Sequence, residues 1–150
     1  MILYNLKADD YFEPQPLEAE DEVYQNGIFQ FNITKMRGYI MTHPDQFIIE
    51  SVTVKDMDSA YSRIDENYIQ SVQNKEPIIL AEISPRRYNV IDGNHRLEKA
   101  RKSGQLEINA YRLNAQQHVM FLTTQIMYNS YVEYWNGKVK DLESPGISRL

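Results

Sequence analysis

Three observations predict an α/β fold of the α+β kind, a small mixed sheet with a long C-terminal helix packed on it. Residues 77–83 and 88–91 are two apolar runs joined by Ser84-Pro85-Arg86-Arg87, the pattern of a hairpin. Asp92-Gly93-Asn94 then breaks the second run ahead of strong helix formers, so strand, tight turn and helix follow in succession. Residues 115–135 keep apolar side chains at helical spacing, with Met120, Met127, Tyr131 and Tyr134 in one stripe flanked by Val119, Leu122 and Ile126. Such a stripe reads as core or interface.

Residues 1–26 hold seven acids against the single lysine Lys7, together with Pro14 and Pro16, which suits an extended, partly mobile arm. A single domain is expected over residues 27–140, followed by a short tail at 141–150. Residues 29–33 alternate weakly, and residues 33–41 predict a short helix ended by His43-Pro44, because a residue before proline is pushed out of the helical region. Residues 47–54 are apolar and β-branched enough for a strand. Residues 64–73 place Ile64, Tyr68, Ile69 and Val72 at helical spacing. After the central hairpin, residues 95–103 put Leu97 and Ala100 on one helix face, and Gly104 stands where a left-handed helix terminus wants glycine. Residues 108–113 supply the next strand.

Composition removes several reaction classes. The chain has no cysteine, so a disulfide framework, a thiol nucleophile and a thiolate metal site are all excluded. No apolar run approaches the roughly 20 residues needed to cross a bilayer, and the N-terminus lacks a signal-peptide pattern, so a cytoplasmic protein without membrane association is expected. A net charge of -5 argues against coating nucleic acid with the whole surface. The balance inverts locally: residues 84–104 carry Arg86, Arg87, Arg96, Lys99, Arg101 and Lys102 against only Asp92 and Glu98. That stretch would draw an anion, although Lys99, Arg101 and Lys102 taken alone fit an ordinary solvated helix face.

The turn at residues 92–96 is the candidate site. A strand ending in a glycine turn that feeds a helix aims backbone N–H groups outward, and the helix dipole adds partial positive charge there. Gly93 would let the backbone approach a phosphate, with Asn94, His95 and Arg96 on the first helical turn around it. Asp92 would repel a bare phosphate. Its presence points either to a bridging divalent cation, with Asp92 as metal ligand, or to a general base near a hydroxyl acceptor. Against this stand plain structural roles: Gly93 as turn glycine, Arg96 as surface cation, Asp92 as helix cap. His43 and His118 read as ordinary surface or core residues.

In sequence, VIDGNHRLEKARKSG, preceded by PIILAEI and followed by INAYRL, resembles the ParB/sulfiredoxin-like superfamily over residues 77–113. The resemblance implies that Gly93, His95 and Arg96 hold nucleotide phosphates and that Asp92 matches the acid of the variant motif found in ADP-dependent free serine kinases. The departures are equally specific. Sulfiredoxins carry a catalytic cysteine where this chain has Asn94, so sulfinic-acid reduction is excluded. No helix-turn-helix and dimerisation domain follow as in ParB partition proteins, so partition-site binding is not expected. None of Glu50, Glu76 and Glu82 can be assigned as the separate catalytic glutamate of the serine kinases. The expectation is a nucleotide-binding protein taking ATP or another NTP with Mg2+, in hydrolysis or phosphoryl transfer. The alternatives are a DNA-associated, nuclease-like accessory protein of mobile-element origin and a catalytically silent module for a protein partner.

Overall fold

The computed structural model describes residues 3–57 and 76–143. The helix expected at 64–73 and the end of the tail, from residue 144, lie outside the described residues. The fold is mixed α+β, and the described residues form one two-stranded and one four-stranded sheet. Strands β1 (Val23–Asn26) and β2 (Phe29–Asn32) form an antiparallel hairpin. Helix α1 (Ile33–Thr42) follows without a break, because the Asn32 side chain accepts a hydrogen bond from the Lys35 N–H at 3.1 Å and caps it. It ends at His43, as the His-Pro pair predicts.

The larger sheet has the order β3 (Ile49–Thr53), β6 (Glu107–Leu113), β4 (Ile78–Ser84), β5 (Arg87–Asp92). Only the β4–β6 pair is parallel, since β5 and α2 (Asn94–Lys102) form the crossover between those two strands. Strand β4 is buried on both faces, which explains its unbroken apolar run. One face packs Val52, Ile78, Leu80, Val90 and Ala110 under Leu97 and Ala100 of α2. On the other, Ile79, Ala81, Ile83 and Ile91 join the larger core built with α1, the β1–β2 hairpin and the C-terminal helix.

Two expectations change. The helix expected at 115–135 is broken: α3 (Ala115–His118) runs into a 3-10 turn (Val119–Phe121), and α4 (Gln125–Glu143) then starts afresh. At the break Leu122 is extended and bridges Phe31, the Thr123 N–H donates to the Gln30 carbonyl at 3.0 Å, and the Thr124 hydroxyl accepts from the Met127 N–H at 3.1 Å. Tertiary pairing and a threonine cap thus interrupt a pattern that is locally helical. The buried face of α4 becomes Tyr128, Tyr131, Val132, Trp135 and Val139, while Met120 and Tyr134 of the expected stripe reach the surface.

Among its described residues the acidic arm contains no helix or strand before β1, yet it is tied to α4. Asn136 accepts from the Leu6 N–H at 2.7 Å and donates to the Leu6 carbonyl at 2.9 Å, Trp135 donates to the Tyr4 carbonyl at 2.8 Å, and Phe12 stacks on Tyr128. Leu6 is buried in the same core as Trp135 and Val139, with Leu3, Tyr4 and Phe12 packed against it. Among the described residues no helix is long and apolar enough to cross a membrane.

Candidate functional site

Strand β5 ends at Asp92, Gly93 turns the chain with φ 98° and ψ 21°, and α2 begins at Asn94. The glycine is required twice over. Its φ lies in the left-handed region, and a Cβ there would meet Ile78 Cγ2 at 2.5 Å and Ile78 Cβ at 2.9 Å. The close approach is therefore to the start of β4, within the fold itself. The first bond of the helix ladder runs from the Leu97 N–H to the Gly93 carbonyl at 2.9 Å, so the N–H groups of residues 94–96 precede it. A glycine at this position offers no side chain to cap them.

The side chains around the turn divide. Asn94 is buried, and its side-chain amide donates to the Val90 carbonyl at 3.3 Å. His95 is half-buried on the first helical turn. Arg96 bends back over the turn: it donates to the Pro77 carbonyl at 3.2 Å and lies 3.5 Å from Asp92 Oδ2. A second guanidinium, Arg37 of α1, reaches the same oxygen at 3.4 Å from Nε, and its Nη2 pairs with Glu22 of the arm. One buried carboxylate oxygen thus faces two arginines. The charges are close but poorly aligned, and Asp92 Oδ2 and both arginine Nε atoms lack a hydrogen bond of good geometry. Burial raises the Asp92 pKa above the ordinary carboxylate value, against the opposing pull of Arg37 and Arg96.

This surrounding bears on the two roles expected of Asp92. A divalent cation does not fit beside it: the carboxylate is only 6% exposed and two guanidinium groups already stand at contact distance. Among the described residues no group of three or more His, Asp and Glu is placed to hold a metal ion. A base role needs an open path to a hydroxyl, and this carboxylate is buried with two arginines against one of its oxygens. Asp92 instead holds Arg37 and Arg96 together. Of the other acids, Glu50 pairs with Arg112 at 3.3 Å, and Glu82 lies at the opposite end of the hairpin, accepting from the Arg86 N–H at 2.8 Å. Burial lowers the Arg37 pKa, but Asp92 and Glu22 outweigh it and hold the guanidinium above its ordinary value, with exposed Glu76 adding the smallest share.

The basic stretch is also distributed. Arg86 and Arg87 sit at the far end of β5 from Gly93. Arg101 pairs with Glu98 and donates to the Val54 and Met57 carbonyls, fastening α2 to the 3-10 turn (Val54–Asp56) that follows β3. Arg37 is the residue that sequence reasoning missed, because nothing in its local pattern ties it to a turn so distant in the chain. His118 is fully buried in the core, and half-buried His43 stacks on Tyr39. Compared with known proteins, the chain matches no family model, no curated protein and no solved structure.

Proposed function

We propose that residues 92–96 bind the phosphate of a nucleotide, ATP or another NTP, with Arg96 and Arg37 as the cationic side chains. The observation that carries the reading is the convergence of two guanidinium groups beside the glycine-opened N-terminus of α2. Backbone dipole and charged forks then favour the same anion. The resemblance of residues 77–113 to the ParB/sulfiredoxin-like superfamily supports the same choice of ligand. Asp92 acts as the internal counter-ion that keeps the arginines converged, and any Mg2+ arrives on the phosphates. Binding is the function proposed; no step of phosphoryl transfer is routed through Asp92.

A thermal-shift panel of ATP, ADP, GTP and inorganic phosphate, with and without Mg2+, tests the reading. A nucleotide at a hundredfold excess over its Kd stabilises by about 2.7 kcal/mol, which a melting curve resolves. Arg96→Gln should lose most of that shift while remaining folded. The reading fails if no nucleotide raises the melting temperature, or if Arg96→Gln keeps the full response.

A further inference from the structure

A cavity of about 550 Å3 opens at the other end of β5, between the β4–β5 turn and the last turns of α4. We infer that it is a separate binding site for a small organic anion with an apolar body.

The lining divides by chemistry. Ile83 and Pro85, both buried, form an apolar floor, and Tyr134 and Leu142 form the helical wall. Asn26 of the β1–β2 hairpin and Asn89 offer amides at the rim. Arg87 enters from the strand and Lys138 from the helix, against the single acid Asp141. Among the described residues neither cation forms an ion pair, and the Lys138 ammonium stands 5.5 Å from the centre of the Tyr134 ring, which holds it at the cavity. In a chain of net charge -5, two unpaired cations over an apolar floor match a ligand that is anionic at one end and apolar at the other.

The cavity is also built in advance. The strand leading into the turn is pinned from the core side: the Tyr131 hydroxyl donates to the Ile83 carbonyl at 2.7 Å with the Glu82 carbonyl at 3.1 Å, and His118 Nε2 lies 2.7 Å from that Glu82 carbonyl. The turn itself holds Arg86 at φ 69°, and the buried Glu82 carboxylate accepts its N–H at 2.8 Å. Tyr131 belongs to the helix that carries Tyr134 and Lys138, so the two walls of the cavity are fixed to each other. Three buried polar side chains thus serve one turn, and a rigid wall lowers the ordering cost of binding.

The test is an amide NMR titration of the 15N-labelled full chain with benzoate, phenyl phosphate and neutral benzamide. Benzoate or phenyl phosphate should shift residues 83–89 and 134–142 along a saturable curve, and whichever binds more tightly identifies carboxylate or phosphate as the preferred anion. Benzamide should bind at least fivefold more weakly, and Arg87→Gln and Lys138→Gln should each weaken the anion at least fivefold. Both residues are exposed, so the variants retain the fold. Non-saturating shifts, equal binding of benzamide, or unchanged affinity in both variants would overturn the inference. Arg96→Gln should leave these titrations unaltered, because the site does not rest on the phosphate turn.

Discussion

His118 provides the sharpest test of the core. The carbonyl of Glu82 can only accept, so the Nε2 atom 2.7 Å away must carry the imidazole proton, which leaves Nδ1 bare, buried and without a hydrogen-bond partner. A second proton would have to enter at Nδ1, in the core, beside the rings of Phe31 and Tyr131. Burial accordingly lowers the pKa from 6.5 to about 4. In the unfolded chain the imidazole protonates near its ordinary value, so between these limits the unfolded state binds more protons. The stabilisation is present above the unfolded pKa and is lost as pH falls toward the folded one. A shift of 6.5 minus 4 corresponds to about 3 kcal/mol. His118→Gln keeps a donor for the Glu82 carbonyl and cannot titrate. Urea unfolding at a series of pH values from about 7 down to about 4.5 should show the parent losing roughly 2–3 kcal/mol more than the variant. Other acids titrate in the same range, but they do so in both proteins and cancel in the difference. Parallel stability curves for the two proteins would refute the tautomer and the burial argument together.

Gly93→Ala should lower stability by roughly 2–5 kcal/mol, from left-handed strain plus overpacking on Ile78, with the loss read from denaturant midpoints. Asn136→Ala removes both hydrogen bonds to Leu6, should cost about 1–3 kcal/mol, and should speed hydrogen exchange of the Leu6 and Asp9 amides. Asp92→Asn leaves two arginines around an uncharged group and should cost about 3 kcal/mol or more. The double variant Asp92→Asn with Arg37→Gln should recover part of that loss in the same urea assay, since it removes one of the two guanidinium groups left crowded without the Asp92 charge between them.

What could be read from sequence follows the range of the interactions involved. The hairpin 77–91, the break at residues 92–94 and the left-handed Gly104 appear as expected, because strand alternation, turn chemistry and positive φ are local properties. Gly104, at φ 75°, closes α2 where its spacing from Ala100 predicts. The failure on residues 115–135 has the opposite origin. Nothing between Val119 and Gln125 breaks a helix strongly, and the interruption comes from β2, whose Gln30 carbonyl and Phe31 backbone engage Thr123 and Leu122. The candidate turn shows the same division. Its backbone shape and Arg96 are legible, whereas Asn94 bonding to the Val90 carbonyl and Arg37 arriving from α1 depend on packing that no spacing rule encodes. Asp92 in particular shows the limit of residue type as evidence. An acid beside a glycine turn suggests metal or base chemistry, and only its two arginine neighbours reassign it.

The two ends of β5 are built on one plan. At each end a buried acid is consumed within the fold, Asp92 by Arg37 and Arg96, and Glu82 by the Arg86 N–H. Both acids therefore stabilise a turn and neither faces outward as a free negative charge. The cations beside them differ in what remains available. Arg87 and Lys138 have no ion-pair partner among the described residues, while Arg37, about one-third exposed, is shared between Asp92 and Glu22. An anion approaching the phosphate turn must compete with Glu22 for Arg37, whereas at the opposite end neither cation is ion-paired among the described residues and Asp141 is the one acid in the lining. Competition with an exposed carboxylate weakens with ionic strength less than the attraction of a multiply charged phosphate does. Raising salt should therefore weaken a polyphosphate at residues 92–96 more steeply than a monovalent anion in the cavity, and the difference in slope separates the two sites in one preparation.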